Sequence, residues 1–408
     1  MKKLIILAAV VLAASATMAQ KAPKGKEKKP EGYLFTNVKE LPITSVKNQA
    51  KAGTCWDYAG TAFIEAELLR MGKGEYDFSE MFNAYNDYMD RAAAVIRCHG
   101  DMSFSQGGCF GDLLHVMERY GLVPEEEMRP GVMYRDSLSN HTELSNMTNP
   151  LVKAAASSAS LQSDADYQLL ALKAIRAVHD VYLGVPPEKF TYKGREYTPK
   201  SFYESTGLNA DDYVQITSFT HYPQYSQFAV ESPDNWRHDL SHNVSIDELL
   251  EIADRAIAEG YPVGWDADVS EPGFRAGSKK GFVVLPATDA KSDDLKGSDM
   301  AHWMGMSAQE IMDEAAERPT PQRWVSAEER QLGWENHETN DDHLMLIYGT
   351  ATDQMGNEYY MVKNSWGSYN SYGGCFYASK AYVRYKTVTI LIHKDALSQE
   401  MRDKLKIH

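Results

Sequence analysis

The segment that most constrains the fold of this chain is residues 48–56, which places Gln49 six residues before Cys55 at the start of an apolar run. Alanine, phenylalanine and leucine recur at helical spacing after Cys55, and Gly72 and Gly74 end the pattern. The pattern predicts a helix with Cys55 in its first turn, where unpaired backbone N–H groups favour a negative charge. Cys55 is therefore expected to point out of a helix that buries its other face.

Two segments far downstream complement this cysteine. His343 begins an apolar strand at residues 344–348, and Asn364 begins the sequence Asn-Ser-Trp-Gly at residues 364–367. Only the thiolate form of a cysteine attacks well, and an adjacent imidazolium lowers the pKa of a thiol from its usual value of about 8.5. His343 is the candidate for that imidazolium, and Cys55 is the candidate nucleophile.

Gln49, Asn364 and Trp366 supply the other parts of such a site. Gln49 would donate its side-chain amide to an oxyanion, with the backbone N–H of Cys55 as the second donor. Asn364 would accept a hydrogen bond from the second ring nitrogen of His343 and hold the imidazole in place. Trp366 would cover this hydrogen bond from water. Each residue alone fits an ordinary structural role, but the combination at these spacings favours nucleophilic catalysis.

This set of residues resembles the papain superfamily of cysteine peptidases, and within it the branch of bleomycin hydrolase and aminopeptidase C. Three features favour that branch. Ala52 stands where papain has a disulfide-forming cysteine, 288 residues separate Cys55 from His343, and residues 232–236 read Ser-Pro-Asp-Asn-Trp. The resemblance implies an α+β fold of two lobes with a large helical insertion. A helical lobe would carry the cysteine and a β-barrel-like lobe the histidine, with the cleft between them.

The resemblance also implies what the site does. It implies hydrolysis of peptide bonds through a thioester acyl-enzyme, with action at the peptide N-terminus favoured over endopeptidase action. It implies peptide substrates, no metal or organic cofactor, and a homo-oligomer, which is a hexamer in the resembled family. Gly107 and Gly108 match a pair of glycines that lets the substrate backbone run alongside. Leu344 stands where a small residue usually follows the histidine, so it is expected to narrow the pocket beside the nucleophile.

An aminopeptidase needs a group that binds the α-amino group of its substrate. In the resembled family the C-terminal end of the chain lies in the cleft, but residues 405–408 do not match that tail. The acidic candidates in this chain are the C-terminal carboxylate and four aspartates: Asp266, Asp268, Asp341 and Asp342. Two alternatives remain open, a papain-like endopeptidase and a catalytically silent papain-like protein that binds peptides.

The N-terminal residues have the features of an export signal. A basic start at residues 1–3 precedes an apolar run at residues 4–16, which is too short to span a bilayer comfortably. Residues 17–19 then form a small-x-small cleavage site before Gln20. We therefore predict a signal peptide at residues 1–19 and a periplasmic or secreted protein with no membrane span after its removal. An uncut signal anchor is the alternative.

Composition excludes some partners. The formal net charge is −15, and removal of the two lysines in the signal peptide would leave about −17, whereas nucleic-acid binding needs a basic surface.

His238 and His242 are four residues apart, as metal ligands often are, but no third ligand accompanies them, so no metal site is predicted. Cys98 and Cys109 could form a disulfide, which their spacing does not decide.

Turn and apolar signals divide the rest of the chain into parts. We predict a linker at 20–34, a helical lobe with Cys55 at 35–130, a helical insertion at 131–255, a β-rich lobe with His343 and Asn364 at 256–395, and a C-terminal tail at 396–408.

Overall fold

The computed structural model describes residues 32–277, 280–288 and 306–408. The predicted signal peptide lies outside the described residues, as does most of the predicted linker. Within the described ranges, no helix is both long and apolar enough to cross a membrane.

Six helices form most of the first half of the described chain. Side-chain caps mark the N-termini of two of them. Ser79 precedes α2, and its side chain accepts a hydrogen bond from the Phe82 backbone N–H at 3.1 Å. Thr198 caps α6 in the same way. The bounds are α1 Cys55–Arg70, α2 Glu80–Arg97, α3 Phe110–Arg119, α4 Thr142–Ala156, α5 Leu170–Leu183 and α6 Pro199–Thr206.

The second half supplies most of the strands and five further helices. The strands are β1 Thr36–Glu40, β2 Phe190–Tyr192, β3 Arg195–Tyr197, β4 Tyr213–Thr217, β5 Gln227–Ala229, β6 Leu240–Asn243, β7 Val263–Ala267, β8 Phe282–Val283, β9 His343–Thr352, β10 Glu358–Lys363, β11 Cys375–Ser379 and β12 Thr387–His393. The helices are α7 Ile246–Glu259, α8 Ala308–Ala315, α9 Ala327–Glu335, α10 Lys380–Lys386 and α11 Gln399–Leu405.

Ten of the described strands form one sheet: nine follow the order β5-β6-β4-β12-β7-β9-β10-β11-β8, and β1 pairs with β9 outside this order. The pairs β4–β6 and β8–β11 are parallel, and the other pairs are antiparallel. The long strand β9 pairs with β7 through its first half and with β1 through its second half. The expected mixture of helices and a large sheet is confirmed, but the described strands form an open sheet and not a closed barrel.

Strand β9 lies between two hydrophobic cores. Leu344 and Leu346 belong to the core formed with the helices α1 to α3, whereas Met345 and Ile347 belong to the core on the other face of the sheet. Successive residues of a strand point to opposite faces, so a strand that is buried on both faces needs apolar residues at every position. This explains the unbroken apolar run that follows His343.

The region predicted as a helical insertion, residues 131–255, contains helices at both ends and strands between them. It contains α4, α5 and α6, but residues 213–243 then supply β4, β5 and β6 to the main sheet. The polar loop between β5 and β6 is held over the helical lobe, where it reaches the cleft described below. The C-terminal tail forms α11, which buries Met401 and Leu405 in the core on the sheet side.

Candidate active site

Cys55 is the first residue of α1 and is half-buried. The loop before it is fixed by Gln106, whose side-chain Oε1 accepts from the Gly53 backbone N–H at 2.7 Å. The indole Nε1 of Trp56 also donates to the Gln106 carbonyl at 3.0 Å. These two bonds bind the start of α1 to the segment that contains Gly107, so the cysteine and the glycine pair border the same space.

The hairpin of β9 and β10 brings His343 to Asn364. His343 is the first residue of β9, and Asn364 directly follows β10. Strands β9 and β10 pair with each other. The Nε2 atom of His343 lies 2.8 Å from Oδ1 of Asn364. The same oxygen accepts from the Ser365 backbone N–H at 2.8 Å, and Nδ2 of Asn364 donates to the Tyr369 hydroxyl at 3.0 Å. Oδ1 is therefore an acceptor, Nε2 carries the proton, and Nδ1 is left to accept one.

Trp366 covers this hydrogen bond. Its ring stacks on the His343 imidazole with centroids 4.9 Å apart and planes inclined by 27°. His343 is 4% exposed and Asn364 is 2% exposed, so water has little access to the bond between them. The Trp366 ring therefore lies against the imidazole of His343.

Gln49 joins the loop before α1 to the segment after β10. Its backbone N–H donates to the Ser365 carbonyl at 2.8 Å, and its side-chain Oε1 accepts from the Ser365 hydroxyl at 2.5 Å. Its Nε2 donates to the Ala52 carbonyl at 2.8 Å. One of the two Nε2 protons is used by this bond, so the other can point toward a reacting carbonyl. The segment 364–367 therefore contains Asn364, which bonds to His343, and Ser365, which holds the Gln49 side chain.

The thiol of Cys55 lies at the start of β9. The backbone N–H of Leu344 acts on the sulfur and favours its anion, so the sulfur lies near the residue that follows His343. Burial raises the pKa of the Cys55 thiol to about 12, the Leu344 N–H opposes that rise, and the charges of nearby aspartates add to it. Burial also lowers the pKa of His343 to about 4, which the bond to Asn364 opposes. A charge on either group alone is disfavoured in the empty site.

Leu344 contributes its backbone more than its side chain. The side chain is 2% exposed and packs in the helical core, because this position of β9 faces the helices. It therefore leaves little surface for a substrate. The expectation that its bulk narrows an open pocket does not follow from this placement.

Gly107 and Gly108 lie beside the nucleophile but are closely covered. A Cβ atom on Gly108 would come within 3.2 Å of the Trp56 ring, and one on Gly107 would overlap the carboxylate of Asp234. The segment 230–239 therefore rests directly on this stretch of backbone. Asp234 is a residue of the site whose position the sequence analysis did not predict.

The remaining candidates do not form sites in the described residues. No group of three or more His, Cys, Asp and Glu side chains in the described ranges is placed to hold a metal ion. The Nε2 atom of His242 lies 3.0 Å from the side-chain amide nitrogen of Gln227. All four cysteines are free, so Cys98 and Cys109 are not joined by a disulfide.

The fold and the site define a papain-like cysteine peptidase. The model of the Peptidase C1-like family matches residues 3–288 and 327–408, and the chain belongs to that family. This confirms the family and the branch to which the sequence motifs pointed.

Relatives and a solved structure agree with this assignment. The chain is 24% identical over 400 residues to aminopeptidase C of Lactococcus lactis subsp. cremoris, covering 88% of this chain and 83% of the relative. It is 22% identical over 284 residues to bleomycin hydrolase of Rattus norvegicus, covering 59% of this chain and 62% of the relative. The crystal structure of PepW from Lactobacillus rhamnosis HN001 matches with a TM-score of 0.64 at 22% identity, covering 91% of this chain and 84% of that chain.

Proposed function

We propose that this chain is an aminopeptidase, in which Cys55 is the nucleophile, His343 the base, Asn364 the residue that orients the base, and Gln49 the oxyanion donor. The observation that carries the proposal is the 2.8 Å bond between His343 Nε2 and Asn364 Oδ1, with the Cys55 thiol held beside Leu344. The relatives named as aminopeptidases support action at the N-terminal residue of peptides.

The reaction would run in two steps. As the Cys55 sulfur attacks the carbonyl carbon of the scissile bond, its proton passes to Nδ1 of His343, and the oxyanion is held by Gln49 and by the Cys55 backbone N–H. His343 then gives that proton to the leaving amine as the C–N bond breaks, which leaves a thioester. In the second step water attacks the thioester while His343 takes its proton, and the acid is released from the regenerated thiol.

Direct transfer of the proton from the Cys55 thiol to His343 suits the electrostatics of the site. Burial opposes a thiolate alone and an imidazolium alone, but a proton that moves from Cys55 to His343 creates both charges side by side. Their mutual attraction offsets part of the cost of burying each. The bond from Asn364 then holds the imidazolium, and Trp366 excludes water that would weaken this bond.

Cys55→Ala tests the nucleophile. The variant should fold, because the side chain is half-buried at a helix start and not in the middle of a core, but it should lose hydrolysis of aminoacyl-coumarin substrates. Cys98→Ala is the matched control, since Cys98 is an exposed free thiol at the end of α2. Activity of Cys55→Ala close to that of Cys98→Ala would refute the assignment. Equal hydrolysis of N-blocked and free-amine peptides by the unaltered chain would favour an endopeptidase.

We also propose export and self-association, which rest on the sequence and on the family. Residues 4–16 and 17–19 support cleavage before Gln20 and a periplasmic or secreted protein. Intact-mass measurement of protein from the cell envelope or the medium should give a chain that begins at Gln20, and a chain that retains Met1 would contradict cleavage. Sedimentation velocity would show whether the protein forms a homo-oligomer, which is a hexamer in the resembled family.

A further inference from the structure

Three aspartates from separate segments lie in the same region of the protein as the Cys55 thiol. Asp234 comes from the loop between β5 and β6, Asp266 from β7, and Asp341 from the turn that leads into β9. The charge of each acts on the Cys55 thiol. Negative charge on these aspartates opposes ionisation of the Cys55 thiol. Their presence calls for a positive group that is there when the reaction runs.

Asp266 is placed by the sheet. It is paired with Leu344 in the register of β7 and β9, and paired residues of antiparallel strands point to the same face. Because Leu344 faces the helices, so does Asp266. Its Oδ2 accepts from the Thr389 hydroxyl at 3.2 Å, but its Oδ1 has no hydrogen-bond donor among the described residues although the side chain is buried. The side chain next to Asp266 is that of Asp341. Two carboxyl groups can form a hydrogen bond to each other only when one of them carries a proton.

Asp341 and Asp234 are held by the same loop. The hydroxyl of Ser232 donates to Oδ2 of Asp341. Two residues later, Oδ1 of Asp234 accepts from the Ser105 hydroxyl at 3.2 Å and lies 3.8 Å from Nη2 of the fully buried Arg91. The Asp234 side chain remains 32% exposed, so part of it faces open space.

Gly107 lets this loop close. Because Asp234 occupies the space that a side chain at Gly107 would need, the loop can rest on the backbone of residues 105–108. Nη1 of Arg91 donates to the Gly107 carbonyl, and its Nη2 donates to the Pro233 carbonyl at 3.3 Å, which ties the loop to that backbone. The loop therefore blocks the path of a longer peptide along this side of the nucleophile.

The C-terminus is held elsewhere. Helix α11 packs in the sheet-side core through Met401 and Leu405, and Lys404 pairs with Glu248 of α7 at 3.1 Å. Ile407 packs against the same core. These contacts anchor the tail to the face of the sheet opposite α1, α2 and α3.

We propose that Asp234, Asp266 and Asp341 form the binding site for the α-ammonium group of the peptide substrate, and that the internal loop at residues 230–239, and not the C-terminus, closes this end of the cleft. The proposal rests on the proposed aminopeptidase function. An α-ammonium is one carbon atom away from the carbonyl that Cys55 attacks, so its partner must lie beside Cys55. An ammonium has three N–H donors, and it could replace the proton that Asp266 and Asp341 share and donate to Oδ1 of Asp266, which accepts from no other donor among the described residues.

The proposal also explains how the acidic surroundings are tolerated. A bound ammonium would offset the carboxylate charges that oppose ionisation of the Cys55 thiol. The correct substrate would then assist its own attack, whereas an N-acylated peptide would bury the carboxyl groups without a cation and be rejected.

The test compares leucyl-coumarin with its N-acetyl form in the full chain and in Asp234→Asn and Asp341→Asn. Both changes keep the shape of the side chain and remove its charge. The control is Glu231→Gln, since Glu231 lies on the same loop but is exposed and accepts from the Tyr222 hydroxyl at 2.9 Å. A second control is a chain that ends at Leu405, the last residue of α11.

The ratio of kcat/KM for free over blocked substrate should fall by about 30-fold or more in the two aspartate variants, the usual result of removing one partner of a buried charge pair. It should stay near the unaltered value in both controls. Retention of the ratio in both aspartate variants, or its loss in the shortened chain, would overturn the proposal. If N-acetylarginyl substrates depend on the aspartates instead, the site binds a basic side chain and the proposal is wrong. If the unaltered chain shows no preference, the aminopeptidase function itself fails.

Discussion

Replacing Gln49 with alanine tests the oxyanion hole. The Gln49 side chain is 8% exposed and held from both ends, by the Ser365 hydroxyl at 2.5 Å and the Ala52 carbonyl at 2.8 Å. A donor fixed in this way costs no reorganisation when the oxyanion forms. Gln49→Ala should therefore lower kcat by about 10²–10³, which corresponds to about 2.7–4 kcal/mol of transition-state stabilisation, with little change in KM.

The same change also affects stability. Loss of the amide leaves the Ser365 hydroxyl and the Ala52 carbonyl without these partners, and an unsatisfied buried polar group costs about 1–3 kcal/mol. Ser365→Ala separates the two effects. It removes one restraint on Gln49 but keeps the Nε2 donor, so its loss of kcat should be clearly smaller than that of Gln49→Ala.

The assay is initial-rate kinetics on a free-amine coumarin substrate, with enzyme concentration fixed by active-site titration and stability followed by urea unfolding. A change confined to KM would mean that Gln49 only binds substrate. An equal loss of kcat in Gln49→Ala and Ser365→Ala would mean that local order and not the donor matters. Either result would refute the oxyanion assignment.

Two further predictions concern buried charges. Burial raises the pKa of Asp341 to about 6, so its carboxylate form exists above that pH. The kcat/KM for free-amine substrates should therefore fall as the pH decreases through about 6. Asp341→Asn should lose this pH dependence. Lys363→Met should destabilise the fold by about 1–3 kcal/mol in urea unfolding, since it leaves the buried Thr44 hydroxyl without the Lys363 Nζ donor and removes one of the two lysine charges, with Lys47, that act on Glu65. Lys380→Met, which breaks a partly exposed pair, should cost less than about 1 kcal/mol, and equal losses would contradict the argument.

The parts of the site that could be predicted from the sequence are those set by local pattern. The helix that begins at Cys55 follows from apolar spacing and terminal glycines, and the hairpin that carries His343 to Asn364 follows from two strands separated by a short polar turn. The apolar run after His343 did not reveal that its two faces belong to different cores. That division explains why Leu344 packs among helices and not in an open pocket.

Longer-range features carry no such local signal. Strands β5 and β6 are only three and four residues long, and β6 is largely polar, so only their pairing in the main sheet identifies them. The aspartates around Cys55 come from three segments that meet only through the sheet register and through the loop resting on Gly107. A sequence shows that acids are present, but their grouping depends on contacts between distant residues. For the same reason, the pattern of strands did not decide between an open sheet and a barrel.

Buried hydrogen bonds join the strand that precedes Asn364 to the helix that begins at Cys55. Lys363, directly before Asn364, donates to the Thr44 hydroxyl at 2.8 Å, and that hydroxyl donates to Glu65 of α1 at 2.6 Å. The strand that ends at the orienting residue is thus bonded to the helix that begins with the nucleophile. Because these groups are buried, their hydrogen bonds are costly to break. The position of α1 relative to β10 therefore has few alternatives. A shift of α1 against β10 would therefore move Cys55 relative to His343, the two residues for which we propose catalytic roles.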